Sequence, residues 1–259
     1  MTMPPIILHH GILSHGDWRL GPLRVSYFRG IEWAIANRGY PVVVTNVHPT
    51  AGVARRARQL KEVMLARLDA MNCPDEKVIV IAHSLGGLDA RYMITHLGMA
   101  SRVKALVTIC TPHRGSSFAD WCVEHVGNRM GGLQLMKLLR IDVQAAVDVR
   151  VKNCVEFNAT TPDMAGVKYY SVSAQRPWKQ IPIFGRHAHK IIAAAEGPND
   201  GLVSVASAQW GEHLGTWSAD HWLTINSPLI PRPWETARIL GLWMTILDRL
   251  EEKGSSAED

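Results

Sequence analysis

Short apolar runs rich in β-branched residues alternate along the chain with longer segments of helical period. The runs cover residues 6–9, 41–47, 77–82, 103–110 and 167–172. Their length and near-continuous hydrophobicity suit strands buried on both faces of a parallel sheet. Between them, the spacing predicts a helix over 51–72. There Val53, Leu60, Met64, Leu68 and Met71 recur on one side, the arginines fall largely elsewhere, and Thr50 stands where a cap is expected. Residues 23–38 and 86–97 read similarly. Pro233 opens a last helix whose apolar stripe is Trp234, Ala237, Leu240, Trp243, Leu247 and Leu250. The polar tail from 251 to 259 reads as frayed.

This β-α-β order predicts one doubly wound α/β domain over 1–259, with right-handed crossovers. One stretch breaks the rhythm. Residues 114–165 carry no strand pattern, yet they include an apolar-rich segment at 133–149. It reads as an inserted helical lid over the C-terminal edge of the sheet; an ordinary crossover helix with long loops is the alternative.

Composition narrows the choices. Hydrophobic residues make up 47% and charged residues 20% of the 259, a globular balance. Net charge is +5, with basic residues gathered at Arg55, Arg56, Arg58, Lys61 and Arg67. These read as a solvated helix face, and no nucleic-acid motif accompanies them. The four cysteines, Cys73, Cys110, Cys122 and Cys154, form no C-x-x-C pair and read as free thiols of a reducing compartment. No signal-peptide pattern precedes Ile6, and no apolar run reaches the roughly 18 residues of a membrane span. A cytoplasmic protein without a transmembrane segment is therefore expected.

The chemistry centres on residues 78–87, where Val78, Ile79, Val80, Ile81 and Ala82 lead through His83 to Ser84, Leu85, Gly86 and Gly87. A β-branched run feeding a serine between small residues, with a helical pattern directly after, is the sequence form of a nucleophile elbow. A serine hydroxyl needs a base, usually a histidine oriented by a carboxylate. The chain has 12 histidines, so chain order discriminates better than presence. Asn199-Asp200-Gly201 is a turn signature before the apolar Leu202-Val203, and 215–218 is a candidate last strand ending at Asp220-His221. Asp200 and His221 thus take the slots expected of acid and base.

A developing oxyanion needs preorganised donors. The Leu85 amide, at the start of the elbow helix, is one candidate. The Ile12 amide is the other, in a loop where His10 and Gly11 follow the first strand and Gly11 permits the turn. Other residues are set aside. His187-x-His189 lacks a third ligand, so no metal and no cofactor are expected. Asp89 shares the elbow helix and reads as an ion-pair partner of Arg91 or another neighbour. Asp220 adjoins the histidine but points to the other face. Glu196 is a weaker rival to Asp200. Trp121, Trp178, Trp210, Trp217 and Trp222 are either a lipid-facing mouth or core filler.

Together, His10-Gly11-Ile12, the run from Ala82 through Tyr92, Thr111–Ser116 as read in the segment 111–116, and the loop 199–204 resemble bacterial triacylglycerol lipases of the α/β-hydrolase superfamily and related lipase-like esterases. The resemblance covers most of the chain. It implies an α/β-hydrolase fold, a mainly parallel sheet flanked by helices, and a Ser84–Asp200–His221 triad with Ile12 and Leu85 as oxyanion donors. Lipid or small esters would be substrates, with transient contact at a lipid interface. Secreted members hold a structural calcium through an aspartate two residues past the histidine. Here Leu223 stands in that place, and Ala206 stands where some members have a disulfide cysteine. The expectation is a serine carboxylic ester hydrolase. The alternatives are a thioesterase or acyltransferase using the same residues, or a non-catalytic binding module of the same fold.

Overall fold

The computed structural model describes residues 3–13, 17–20, 23–128 and 143–255. The strands are β1 (Ile6–His9), β2 (Asp17–Leu20), β3 (Leu23–Ser26), β4 (Val42–Val44), β5 (Val78–His83), β6 (Val103–Ile109), β7 (Lys168–Gln175) and β8 (Glu212–Ser218). Six of them form one sheet in the order β4-β1-β5-β6-β7-β8, and every neighbouring pair in it is parallel. β2 and β3 form a separate antiparallel pair.

Successive side chains on a strand point to opposite faces, and here both faces are dry. Ile6, Leu8, Ile79, Ile81, Val107 and Ile109 pack on one side with Phe28, Ile31, Trp243 and Leu247. Ile7, Val78, Val80, Ala82 and Leu106 pack on the other with Leu60, Met64, Leu68, Met93 and Ile94. The helices supplying these partners are α1 (Ile31–Ala36), α2 (Val53–Ala70), α3 (Gly86–His96) and, at the end of the chain, the long helix Pro233–Ser255.

Several expectations need correction. Only Val42–Val44 of 41–47 pairs as a strand. Residues 23–38 are not one helix. Leu23–Ser26 joins the antiparallel ladder, and helix begins only at Ile31, after Gly30 at φ 77°. Helix α2 is capped not by Thr50 but from a distance, where the Asp148 carboxylate accepts the Val53 amide at 2.7 Å. Met71 lies past the end of α2 and is exposed. In the last helix Trp234 is 77% exposed and Ala237 is also exposed; Trp243 and Leu247 are buried as expected, Leu240 and Leu250 pack partly buried against the core, and Ile239 and Ile246 join them.

Arg56 is the largest departure. It is fully buried rather than on a solvated face. Between β6 and β7 lie α4 (Ser117–Cys122), α5 (Gln144–Asp148) and α6 (Val151–Thr160). The apolar segment 133–149 falls partly outside the described residues. No described helix is long and apolar enough to cross a membrane.

Candidate active site

Strand β5 ends at His83, and the chain then reverses into α3 through Ser84 at φ 56°. A left-handed backbone is costly for any residue with a side chain, so the turn must be held. The Ser84 amide donates to the Ile109 carbonyl at 2.9 Å, and Thr111 Oγ1 donates to the Ser84 carbonyl at 2.7 Å. A Cβ on Gly86 would lie 2.8 Å from the His10 carbonyl oxygen, which explains the small residue two places on.

The structure brings Ser84, His221 and Asp200 together. His221 Nε2 lies 3.0 Å from Ser84 Oγ, and His221 Nδ1 lies 2.7 Å from Asp200 Oδ2. The other oxygen, Asp200 Oδ1, accepts the Leu202 and Val203 amides at 2.9 and 2.7 Å. Two backbone donors and one imidazole thus fix the carboxylate. The His221 amide in turn donates to the Asp200 carbonyl at 3.0 Å, tying the two loops together. Asp200 is wholly buried, His221 is 4% exposed and Ser84 is 7% exposed. The Cys110 thiol faces the same carboxylate; burial pushes its pKa up, and Asp200 pushes it further. Cys110 therefore stays protonated. All four cysteines are free thiols.

Gly11 sits against Ser84, since a Cβ there would lie 2.8 Å from Ser84 Cβ. Its loop is anchored by a residue that the sequence reading placed in solvent. Arg56 donates to the carbonyls of His10 at 2.8 Å, Gly11 at 3.3 Å and His48 at 2.7 Å. His10 accepts the Val47 amide on Nε2, so Nδ1 carries its proton and donates to the Gly11 carbonyl at 2.9 Å. In a trans peptide the carbonyl and the next amide point oppositely, so pinning the Gly11 carbonyl turns the Ile12 amide away from Arg56 and His10. Leu85 caps α3, where first-turn amides have no helical partner.

The remaining candidates have other partners. Asp89 binds Arg56 Nε at 2.8 Å and His9 Nε2 at 2.9 Å, not Arg91. Arg91 instead lies 3.7 Å over the Trp210 ring and donates to Asn158 and the Thr161 carbonyl, with burial lowering its pKa to about 10. Glu196 accepts the Ser117 amide at 2.7 Å and the Ser204 hydroxyl at 2.6 Å. Asp220 pairs with Arg176 and Arg232. His189 meets the Arg176 carbonyl, and His187 packs edge-on to Trp121. Of the five tryptophans weighed as a lipid-facing mouth, Trp222 adjoins His221 and Trp217 belongs to the core.

Sequence reading also missed a second set of groups around the elbow. Tyr27 Oη lies 2.8 Å from His83 Nδ1 and accepts the Gly11 amide at 3.4 Å. His83 Nε2 lies 3.1 Å from Thr224 Oγ1, which donates to the His221 carbonyl at 2.7 Å. Burial and the neighbouring His221 hold the His83 pKa well below the usual imidazole range. Thr224 lies three residues past His221, the one local hint available in the chain.

Sheet order, elbow and buried imidazole–carboxylate pair put the molecule in the class of serine-dependent α/β-hydrolases. Known proteins narrow the class. Residues 52–161 match the family model described as a PGAP1-like alpha/beta domain. Triacylglycerol lipase 2 of Saccharomyces cerevisiae is 30% identical over 248 residues, covering 90% of this chain and 75% of the yeast protein. Staphylococcus hyicus lipase superposes with a TM-score of 0.75 at 15% identity, over 99% of this chain and 97% of that one. The mature Bacillus licheniformis lipase gives a TM-score of 0.69 at 20% identity, over 92% of each chain. The chain belongs to the lipase-like family of α/β-hydrolases, the serine-dependent carboxylic ester hydrolases.

Proposed function

We propose that this chain cleaves fatty-acyl esters through an acyl-enzyme on Ser84. His221 takes the Ser84 proton as Oγ attacks the acyl carbonyl, and returns it to the leaving alcohol. Water then enters, His221 takes its proton, and the carboxylic acid is released as Ser84 regains its hydrogen. Asp200 holds His221 in the required tautomer, while the Ile12 and Leu85 amides receive the oxyanion. His10 and Gly11 shape the loop that presents Ile12. The observation carrying this reading is the continuous line from Asp200 through His221 to Ser84, at 2.7 and 3.0 Å.

A folded Ser84→Ala variant should lose several orders of magnitude in kcat on p-nitrophenyl esters and fail to react with a fluorophosphonate probe. Near-normal turnover by that variant would end the proposal. Matched ester and thioester substrates separate ester cleavage from a thioesterase preference.

The segment 114–165 is, in this reading, a cap on a single domain. Ala145 and Cys154 from that segment pack with Leu85, Leu88 and Val53, and Ile12 borders the cluster. An acyl chain leaving Ser84 would meet this apolar wall. Contact with a lipid interface is assigned to the turn bearing Ile183 and Phe184, which are 82% and 65% exposed. The Phe184 ring stands 4.7 Å from Trp222, next to His221. Lys179, Arg186 and Lys190 flank this turn, and no acidic residue lies between 164 and 195, which suits an anionic surface. Phe184→Ser should slow hydrolysis of emulsified triglyceride several-fold while leaving a dissolved short-chain ester unaffected; equal effects on both would refute the assignment. The four free thiols support a reducing, cytoplasmic setting, which cell fractionation tests.

A further inference from the structure

We propose that His83, the residue before the nucleophile, is a positioning residue that locks the oxyanion loop and the His221 loop to one another through a directional relay of hydrogen bonds. The inference rests on the roles proposed for Ser84 and His221. It is carried by the way each proton in the relay is forced.

Thr224 has one hydroxyl hydrogen, and it donates that hydrogen to the His221 carbonyl at 2.7 Å. Thr224 Oγ1 can then only accept from His83 Nε2 at 3.1 Å, so Nε2 carries the imidazole proton. Neutral His83 thereby has a bare Nδ1, which must accept from Tyr27 Oη at 2.8 Å. Tyr27 oxygen is left to accept the Gly11 amide at 3.4 Å. The order from donor to acceptor is Gly11 amide, Tyr27, His83, Thr224, His221 carbonyl. No member can reverse without breaking a neighbour's bond. Burial and the adjacent His221 keep His83 neutral, as the relay requires.

The two ends matter because they belong to different parts of the proposed chemistry. Gly11 directs the loop carrying the Ile12 donor. The His221 carbonyl fixes the backbone that carries the base. Both are referenced to the residue whose peptide continues into Ser84, and the rings of His83 and His221 lie 4.6 Å apart. A displacement of about 1 Å between donor, nucleophile and base is enough to slow an acyl transfer by about 100-fold. Groups that bind no substrate but hold this spacing should act on kcat and leave KM alone.

Tyr27→Phe and Thr224→Val cut the relay at sites that do not touch. Each should lower kcat about tenfold on a dissolved p-nitrophenyl ester at unchanged KM. The double variant should fall within about twofold of the worse single one, because either cut already uncouples the loops. Effects that multiply, that appear in KM alone, or that are absent in Tyr27→Phe would overturn the relay. A second measurement does not depend on turnover or on those variants folding. Nitrogen-15 NMR of the folded Ser84→Ala protein should find His83 protonated at Nε2 and bare at Nδ1; the opposite tautomer would refute the scheme. Loss of activity in Ser84→Ala with multiplying relay variants would leave the hydrolase reading standing and remove only the relay.

Discussion

Among the described residues are two buried hydroxyl–imidazole–carboxylate lines. In one, His221 joins Ser84 to Asp200. In the other, His9 joins Thr45 at 2.7 Å to Asp89 at 2.9 Å. Residue types and distances nearly coincide, so neither identifies a nucleophile. The surroundings differ. Thr45 is wholly buried, with its oxygen 2.7 Å from His9 Nδ1 and 3.2 Å from the Leu8 carbonyl oxygen. Asp89 is neutralised by Arg56 at 2.8 Å. Ser84 instead stands on a left-handed turn with its oxygen 3.0 Å from His221 Nε2, and among the described residues no arginine or lysine pairs with Asp200, which accepts the Leu202 and Val203 amides. In the proposed reading one line moves a proton, while the other holds β1, β4, α2 and α3 together.

Parallel substitutions sharpen the contrast. Asp200→Asn should reduce kcat by about 10⁴-fold, since the amide favours the wrong His221 tautomer, with a small change in Tm. Stopped assays and a thermal melt on one sample check both halves. Asp89→Asn should do the reverse, costing about 3–5 kcal/mol of stability by leaving Arg56 buried without its counter-charge. Denaturant titration reads that loss; a kcat loss as deep as that of Asp200→Asn would erase the distinction. Thr45→Val should cost about 1–3 kcal/mol through the unsatisfied His9 nitrogen. The smallest effect concerns pH. His9, His83 and His113 all have pKa values lowered by burial. The unfolded chain therefore takes up protons first as pH falls below about 6.5, and stability present above that pH is lost toward the folded-state values. Stability, and with it Tm, should drop between pH 7 and pH 5, and His113→Gln should shallow the fall of unfolding free energy by up to about 1.4 kcal/mol per pH unit.

The elbow was legible because it is local: strand, serine, small residues and helix follow one another within a dozen positions. The placement of Asp200 and His221 beside Ser84 was legible through chain order and turn chemistry. Arg56 was not, although a signal existed. It lies three residues after Val53 and four before Leu60, on the buried stripe of α2, and periodicity alone assigns such a place to the core. Its charge concealed it, because the Asp89 that neutralises it is 33 residues away. The helix expected over 23–38 failed for a similar reason, since the partner strand that claims Leu23–Ser26 lies outside that window. Tyr27, His83 and Thr224 come from three separate segments, and no spacing rule joins them.

Ser84 at φ 56° carries one last consequence. Such a backbone costs a residue with a side chain about 1–3 kcal/mol, and glycine almost nothing. Ser84→Gly should therefore melt at a higher temperature than the active enzyme, against the usual direction of a substitution in a packed interior. With the role proposed for Ser84, thermal robustness and turnover are set against each other at this one position, and selection for heat tolerance alone would drift toward a dead protein.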